Sequence, residues 1–228
     1  TLIAADLATA DGRLVKASAE ESADLFWGLR GGGGNFGVVT SFEFRLHPVG
    51  PMIMGGLVAH PVSAAKDVLR LYRDLTASAS DDLMLFFALL TGPDGATKLA
   101  GIVAGHTGSH AQAEADLRPL KQFGTPPMDA IGPMPYSVLN SMLDPSFPRG
   151  ARNYWKAHFM DQLTDEAMDA MIDRFASCPS PMSAVMLEHF HGAAARVPVT
   201  DTAYALRKTG YNLVILSQWM DGADDARG

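Results

Sequence analysis

The chain has a single cysteine, Cys178, among 228 residues, so no internal disulfide can staple the fold. Packing must hold it together, and the absence of bridges fits a reducing, cytoplasmic setting. Long apolar runs are also missing. None approaches the roughly 18 to 20 residues of a membrane-spanning helix, so a membrane partner is not expected. Charge is sparse at 19% of residues, and 18 Lys+Arg against 25 Asp+Glu leave a formal net charge of −7. With no dense basic run, the footprint of a nucleic-acid binder is excluded. The start, Thr1-Leu2-Ile3-Ala4-Ala5-Asp6, has no Met and no basic signal-peptide flank, and the chain is expected to begin inside a larger protein. No G-x-S-x-G elbow is present, and Cys178, between Ser177 and Pro179, has no adjacent base, so no hydrolase motif exists.

What is present is core material. Hydrophobic residues make up 47% of the chain, and a chain of this length can bury about 70% of its unfolded surface. Apolar runs flank Thr9-Ala10-Asp11-Gly12-Arg13, which predicts an opening β-hairpin. Ser18-Ala19-Glu20-Glu21 fits a capping box before Leu25, Phe26 and Leu29, predicting a short helix that ends at Arg30. Four glycines, Gly31 to Gly34, then break the chain before the strand-like Val38 to Leu46. His47-Pro48-Val49-Gly50-Pro51 marks a boundary between residues 1–50 and 51–228.

Beyond it, strands are expected at Met52 to His60, Leu83 to Thr91, Lys98 to Gly105, Asn153 to Phe159, Met182 to His191 and Tyr211 to Trp219. Amphipathic helices are expected after Ser63, with Val68, Leu71, Tyr72 and Leu75 on one face, and after Ser109, where Ser109 to Gln112 is a second capping box. A third runs from Thr164 to Phe175 with Met168, Met171, Ile172 and Phe175 inward. Thr91-Gly92-Pro93-Asp94-Gly95 joins two strands as a hairpin, which points to an antiparallel sheet and an α+β fold. The prolines between Pro126 and Pro148 predict an irregular excursion.

Gly32-Gly33-Gly34-Asn35-Phe36-Gly37 formally matches the dinucleotide fingerprint G-x-G-x-x-G. That motif must follow a strand and open a helix, whereas here a helix precedes and a strand follows. Two readings remain: a side-chain-free loop whose amides approach a ligand, or a tight turn. His189 and His191 stand at i and i+2 on one strand face, but no cluster of further ligands accompanies them, so pocket-lining or hydrogen-bonded histidines are favoured over a metal pair. On the last strand Tyr211, Leu213, Ile215, Ser217 and Trp219 alternate with Asn212, Val214, Leu216 and Gln218. Asn212 and Gln218 interrupt an apolar face, either to meet a ligand or to satisfy a buried partner.

The run from Asp24 to Thr40, DLFWGLRGGGGNFGVVT, closely resembles a segment of the berberine-bridge-enzyme-like FAD-linked oxidases, within the wider vanillyl-alcohol oxidase and p-cresol methylhydroxylase flavoprotein superfamily. The resemblance continues through Pro148 to Lys156, Glu188 to Ala193, Ala195 to Pro198 and Tyr211 to Trp219. It implies that residues 1–50 are the end of a FAD-binding domain and residues 51–228 most of a substrate domain whose antiparallel sheet roofs the flavin. The family's covalent attachment segment and its C-terminal return segment have no counterpart in these residues, and Cys178 does not match the attachment cysteine.

The resemblance implies FAD as cofactor, with Gly33, Gly34, Asn35, Phe36, Gly37 and Val38 beside it, chiefly through backbone. Asn212 falls where some members place a carboxylate, and an amide cannot be a base. Tyr154, His189, His191, Asn212 and Gln218 are the candidates for lining the substrate pocket, and no catalytic residue is assigned. The implied reaction is hydride transfer from a substrate C–H to the flavin with O₂ as acceptor, on a sugar, alcohol or secondary metabolite. The chain alone is expected to be inactive and to self-associate through exposed edges at Leu2, Ile3, Val38 and Phe42. The alternatives are a cofactor-free module that binds a small molecule or protein, and a metal enzyme using His189 and His191.

Overall fold

The computed structural model describes residues 1–227. The chain folds as two compact units, Thr1–Pro48 with Gly192–Lys208, and Val49–His191 with the chain from Thr209 onward. The first break falls where the turn formers cluster. The segment from Gly192 to Lys208 packs with the first unit, although it lies within the expected substrate domain.

In the first unit, β1 (Leu2–Ala8) and β2 (Leu14–Ser18) form the expected hairpin, and β3 (Val38–Phe44) pairs with the other side of β1. Gly12 takes a φ of 81° at the turn, where Gly12 N–H donates to the Thr9 carbonyl at 2.9 Å. Leu7, Ala17 and Phe26 form the small core, with Phe26 supplied by α1 (Ala23–Leu29). The capping box at Ser18 does not form. The Ser18 hydroxyl instead accepts the amides of Glu20 and Glu21 in a tight turn, and the helix begins after Ser22, whose φ is 50°. Trp27 and Arg30 of the glycine-rich motif hold the returning segment: Trp27 Nε1 donates to the Thr200 carbonyl at 2.7 Å and an Arg30 guanidinium N–H to that of Asp201 at 3.1 Å.

The second unit is one antiparallel sheet with its three long helices on one face and the short segment 136–141 packed on part of the other, in the α+β class. Its strands are β4 (Met52–Pro61), β5 (Leu83–Thr91), β6 (Lys98–His106), β7 (Met128–Asp129), β8 (Gly132–Pro135), β9 (Arg152–Met160), β10 (Ala184–Phe190) and β11 (Gly210–Trp219). They run in the order β7-β4-β6-β5-β10-β11-β9, with β8 also on β4. The proline-rich middle is thus less irregular than expected. Pro133 and Pro135 sit in β8 at the sheet edge, where a missing N–H costs little, and the helix α4 (Tyr136–Ser141) follows.

Three amphipathic helices, α2 (Ala65–Ala77), α3 (His110–Gln122) and α5 (Asp165–Ala176), cover one face. Val68, Leu69 and Tyr72, Leu117 and Leu120, and Met168 and Phe175 meet Leu85, Phe87, Leu89, Ile102 and Leu187 in a single core. Each such buried side chain contributes about 1.5–3 kcal/mol. Tyr72 is fully buried, and its hydroxyl lies 3.0 Å from the Leu187 carbonyl and 3.3 Å from that of Leu85. Thr164 caps α5 by accepting the Ala167 amide, and Ser109 caps α3 by accepting that of Gln112. Only half of the second box forms, because the Gln112 side-chain amide turns to Asp116 at 2.7 Å instead of reaching back.

Candidate functional site

The register of the sheet decides which candidates can act together, because residues directly opposite in an antiparallel ladder share a face. Tyr211 is opposite His189, and its hydroxyl lies 2.8 Å from Thr76 Oγ of α2, so this parity of β11 faces the helices. Ser217 belongs to the same parity and is opposite Tyr154. Asn212 belongs to the other parity and is opposite Glu188 on one side and Phe159 on the other. The five residues expected to line one pocket are therefore split. Tyr154, His189 and His191 go to the helix face, and Asn212 and Gln218 to the free face.

On the helix face His191 is hydrogen-bonded, whereas the buried His189 Nδ1 has no hydrogen-bond partner among the described residues. The rings of His189 and His191 stack with centroids 4.3 Å apart, and His191 Nε2 lies 3.1 Å from the Leu83 carbonyl oxygen. Burial, and then the neighbouring His191, hold the His189 imidazole down to about 4, so it is neutral at physiological pH. Among the described residues no group of three or more His, Cys, Asp and Glu is placed to hold a metal ion. A third histidine, His106, is locked structurally: Gly108 N–H donates to Nδ1, leaving the proton on Nε2 for Asp116 at 3.0 Å. Burial alone would raise the Asp116 carboxyl, but hydrogen bonds from His106, Gln112 and Ser80 outweigh it and hold it below the ordinary range.

On the free face the registers align one row across five strands: Phe159, Asn212, Glu188, Phe86 and Val103. Asn212 Nδ2 donates to Glu188 Oε2 at 2.8 Å. This is a carboxylate whose orientation is fixed by an amide, set between two phenylalanines. No other acidic residue of β5, β6, β9, β10 or β11 has this parity. Glu188 is not among the site residues expected from the sequence, yet an acid on an otherwise apolar strand carries the same signal that marks Asn212 and Gln218. Gln218 itself is 1% exposed and its Oε1 has no hydrogen-bond partner among the described residues, so it is enclosed at the end of the strand. Beside Phe86, a cavity of about 300 Å³ runs under α4, lined by Met84, Val103, Leu139 and Met142 with Tyr136 and Asn140.

The glycine loop lies in the first unit. Phe36 points inward: a Cβ on Gly28 or Gly32 would stand 2.8 Å from its ring, so its side chain is a plug and only its backbone can meet a ligand. Gly37 has a φ of 146°, and a Cβ there would lie 2.4 Å from the Ala8 carbonyl oxygen, which makes this glycine a structural necessity. Gly33 and Gly34 differ. A Cβ on Gly34 would meet nothing within 4 Å, and one on Gly33 only Asn35 Nδ2 at 3.7 Å. The amides of residues 33–36 meet no acceptor among the described residues, and Asn35 and Phe36 form a turn closed by the Gly37 amide. Asn35 Nδ2 donates to the Gly32 carbonyl at 3.1 Å, and Val38 is 72% exposed on the edge strand β3. An open stretch of unpaired amides, side-chain-free at Gly33 and Gly34, fits a large planar anionic group.

An FAD-linked oxidoreductase of Dictyostelium discoideum is 28% identical over 219 residues, covering 95% of this chain and 47% of that protein. The (R)-6-hydroxynicotine oxidase of Paenarthrobacter nicotinovorans is 29% identical over 196 residues, covering 82% and 42%. This chain is a relative of the FAD-linked oxidoreductases. The FAD-linked oxidoreductases among these relatives indicate FAD as the cofactor. Among solved structures, the berberine-bridge-enzyme-like protein 1 of Physcomitrella patens superposes with a TM-score of 0.82 at 15% identity, over 99% of this chain and 51% of that one. The fold is thus that of the berberine-bridge-enzyme-like proteins. No family model matches the sequence. The chain spans about half the length of the relatives it matches. No helix among the described residues is long and apolar enough to cross a membrane.

Proposed function

We propose that the chain is part of an FAD-dependent oxidase in which the free face of the sheet receives the substrate and Glu188 is the base. The observation that carries this reading is the Glu188 carboxylate held by Asn212 at 2.8 Å in an apolar row. When bound, FAD supplies the hydride acceptor for oxidation of a substrate C–H, and O₂ is the final electron acceptor. Glu188 takes the proton from the substrate hydroxyl or amine, and Asn212 occupies one carboxylate oxygen so that the other is aimed at the substrate. Phe86 and Phe159 flank the pair and displace water from it. The position that lacks a base on β11 is thus served from the neighbouring strand, with Asn212 as its positioning partner. Gly33, Gly34, Asn35, Phe36, Gly37 and Val38 contribute backbone to FAD, the unpaired amides of residues 33–36 being the fit. Substrates fall among sugars, alcohols and secondary metabolites; the relatives include a 6-hydroxynicotine oxidase and a xylooligosaccharide oxidase.

The test is Glu188→Gln in the whole FAD-loaded oxidase of which this chain is part. Turnover falls by about 10²–10⁴ with flavin content unchanged. A variant that keeps FAD and full turnover removes Glu188 from the mechanism, whereas protein that takes up no flavin removes the cofactor reading and favours a binding module.

A further inference from the structure

The helix face of the same sheet has a second opening, remote in parity from Glu188. α5 turns Met168, Met171 and Phe175 into the core, and on the side that lines the groove against β11 the small Ala167 and Ala170 stand beside Met171, Arg174 and Phe175. The small side chains leave a groove of about 340 Å³ between helix and sheet, lined chiefly by Met160, Ala167, Ala170, Phe175, Leu213 and Ile215. That volume lies within the range of small-molecule sites. Ile215 is 46% exposed although β11 is paired on both sides, by Val185 of β10 and Lys156 of β9. A large aliphatic side chain in a doubly paired strand, facing a layer of helices, is left uncovered only where that layer is interrupted.

Charge marks the groove at its rim. Arg174 lines it, is exposed, and its guanidinium makes no hydrogen bond or ion pair among the described residues. Its acidic neighbours on α5 are turned elsewhere. Asp165 is taken up by Arg70 and Arg73, and Asp169 by Lys66, while the exposed Glu166 and Asp173 do not line the groove. Lys156 adds a second cation on the same face, directly opposite Ile215 in the register. An apolar trough with an unpaired guanidinium at its mouth is complementary to one kind of molecule.

We propose that this groove binds a medium-chain carboxylate, with the hydrocarbon along Leu213, Ile215 and Ala170 and the carboxylate on Arg174. The site is separate from the oxidase chemistry and does not depend on it. Two observations support it independently: the uncovered apolar wall, and a rim cation without a partner.

The probe is decanoate, titrated calorimetrically into the protein, with decanol as the uncharged comparison. Decanoate binds at one site and decanol about tenfold more weakly. Arg174→Gln, which removes a side chain with no structural partners, lowers decanoate affinity about tenfold and leaves decanol unchanged. Ala170→Trp, at an exposed helix position, fills the groove and abolishes binding of both. Absence of decanoate binding, equal binding of decanoate and decanol, or decanoate binding untouched by either substitution overturns the proposal.

Discussion

Asn212→Asp places a second carboxylate where an amide now donates to Glu188 Oε2 at 2.8 Å, and its consequences can be worked from the geometry. The substitution is nearly isosteric, so packing against Phe159 is retained and the change is electrostatic. Two unit charges about 4 Å apart repel by roughly 4 kcal/mol at an effective dielectric of about 20. Asn212 and Glu188 are both half-buried, and screening by water reduces that to about 2 kcal/mol. In acid the two carboxyls share a proton and the repulsion is relieved. The native variant therefore keeps a proton that its unfolded chain has released, and its stability relative to wild type falls as the pH rises. Urea unfolding of both proteins, compared at about pH 4 and pH 8, should show a small difference in acid that widens to about 2 kcal/mol in base. A difference independent of pH, or none at pH 8, would mean that the two side chains are not adjacent, and the proposed base would lose its positioning partner.

Gly37→Ala is expected to destabilise the first unit by about 3 kcal/mol or more, since the φ of 146° and the approach to the Ala8 carbonyl both oppose a side chain. Gly12→Ala, with a φ of 81° and open space, should cost only about 1 kcal/mol; equal losses on urea unfolding would contradict the close approach. His189, held near 4 by burial and by His191, is protonated in the unfolded chain at a higher pH than in the native one. Its contribution is fully present above about pH 6.5 and is lost as the pH falls toward 4, by about 1–2 kcal/mol once partial exposure is allowed for. His189→Phe should flatten that part of the stability profile, and an unchanged slope would count against it. The edge strand β3, with Phe42 57% and Phe44 55% exposed, should drive self-association that light scattering detects at about tens of micromolar, where a clean monomer refutes it.

Most of the second unit is legible in the sequence because its elements are strongly periodic. The alternation of Leu83 to Thr91 and the stripe of Met168, Met171 and Phe175 each specify one period and one buried face. Local signals with two solutions are less decisive. Ser18 followed by Glu21 suits a capping box, but the same hydroxyl satisfies two consecutive amides in a turn, and the turn is what forms. Proline reads as a break, yet Pro133 and Pro135 are accommodated at a sheet edge whose outward side needs no donor. The packing of residues 192–208 with the first unit rests on contacts such as Trp27 to Thr200, separated by 173 positions, which no local pattern encodes.

The candidate site is less legible than the fold for a single geometrical reason. Alternation along a strand says which of its own residues share a face, but relating one strand to the next requires the register. His189 and Asn212 are both polar residues on apolar strands, and nothing in either strand alone shows that they face opposite ways. Once Glu188 is set opposite Asn212, the parities of β9, β10 and β11 follow together, and Tyr154 and His189 leave the free face in the same step. On the helix face, the Tyr72, Thr76, Tyr211 and His191 side chains are bonded to main chain or to one another, while the buried His189 Nδ1 has no partner among the described residues. On the free face, one oxygen of the Glu188 carboxylate is held by Asn212 and the other meets no donor among the described residues, which is the state expected of a group kept for a ligand rather than for the fold.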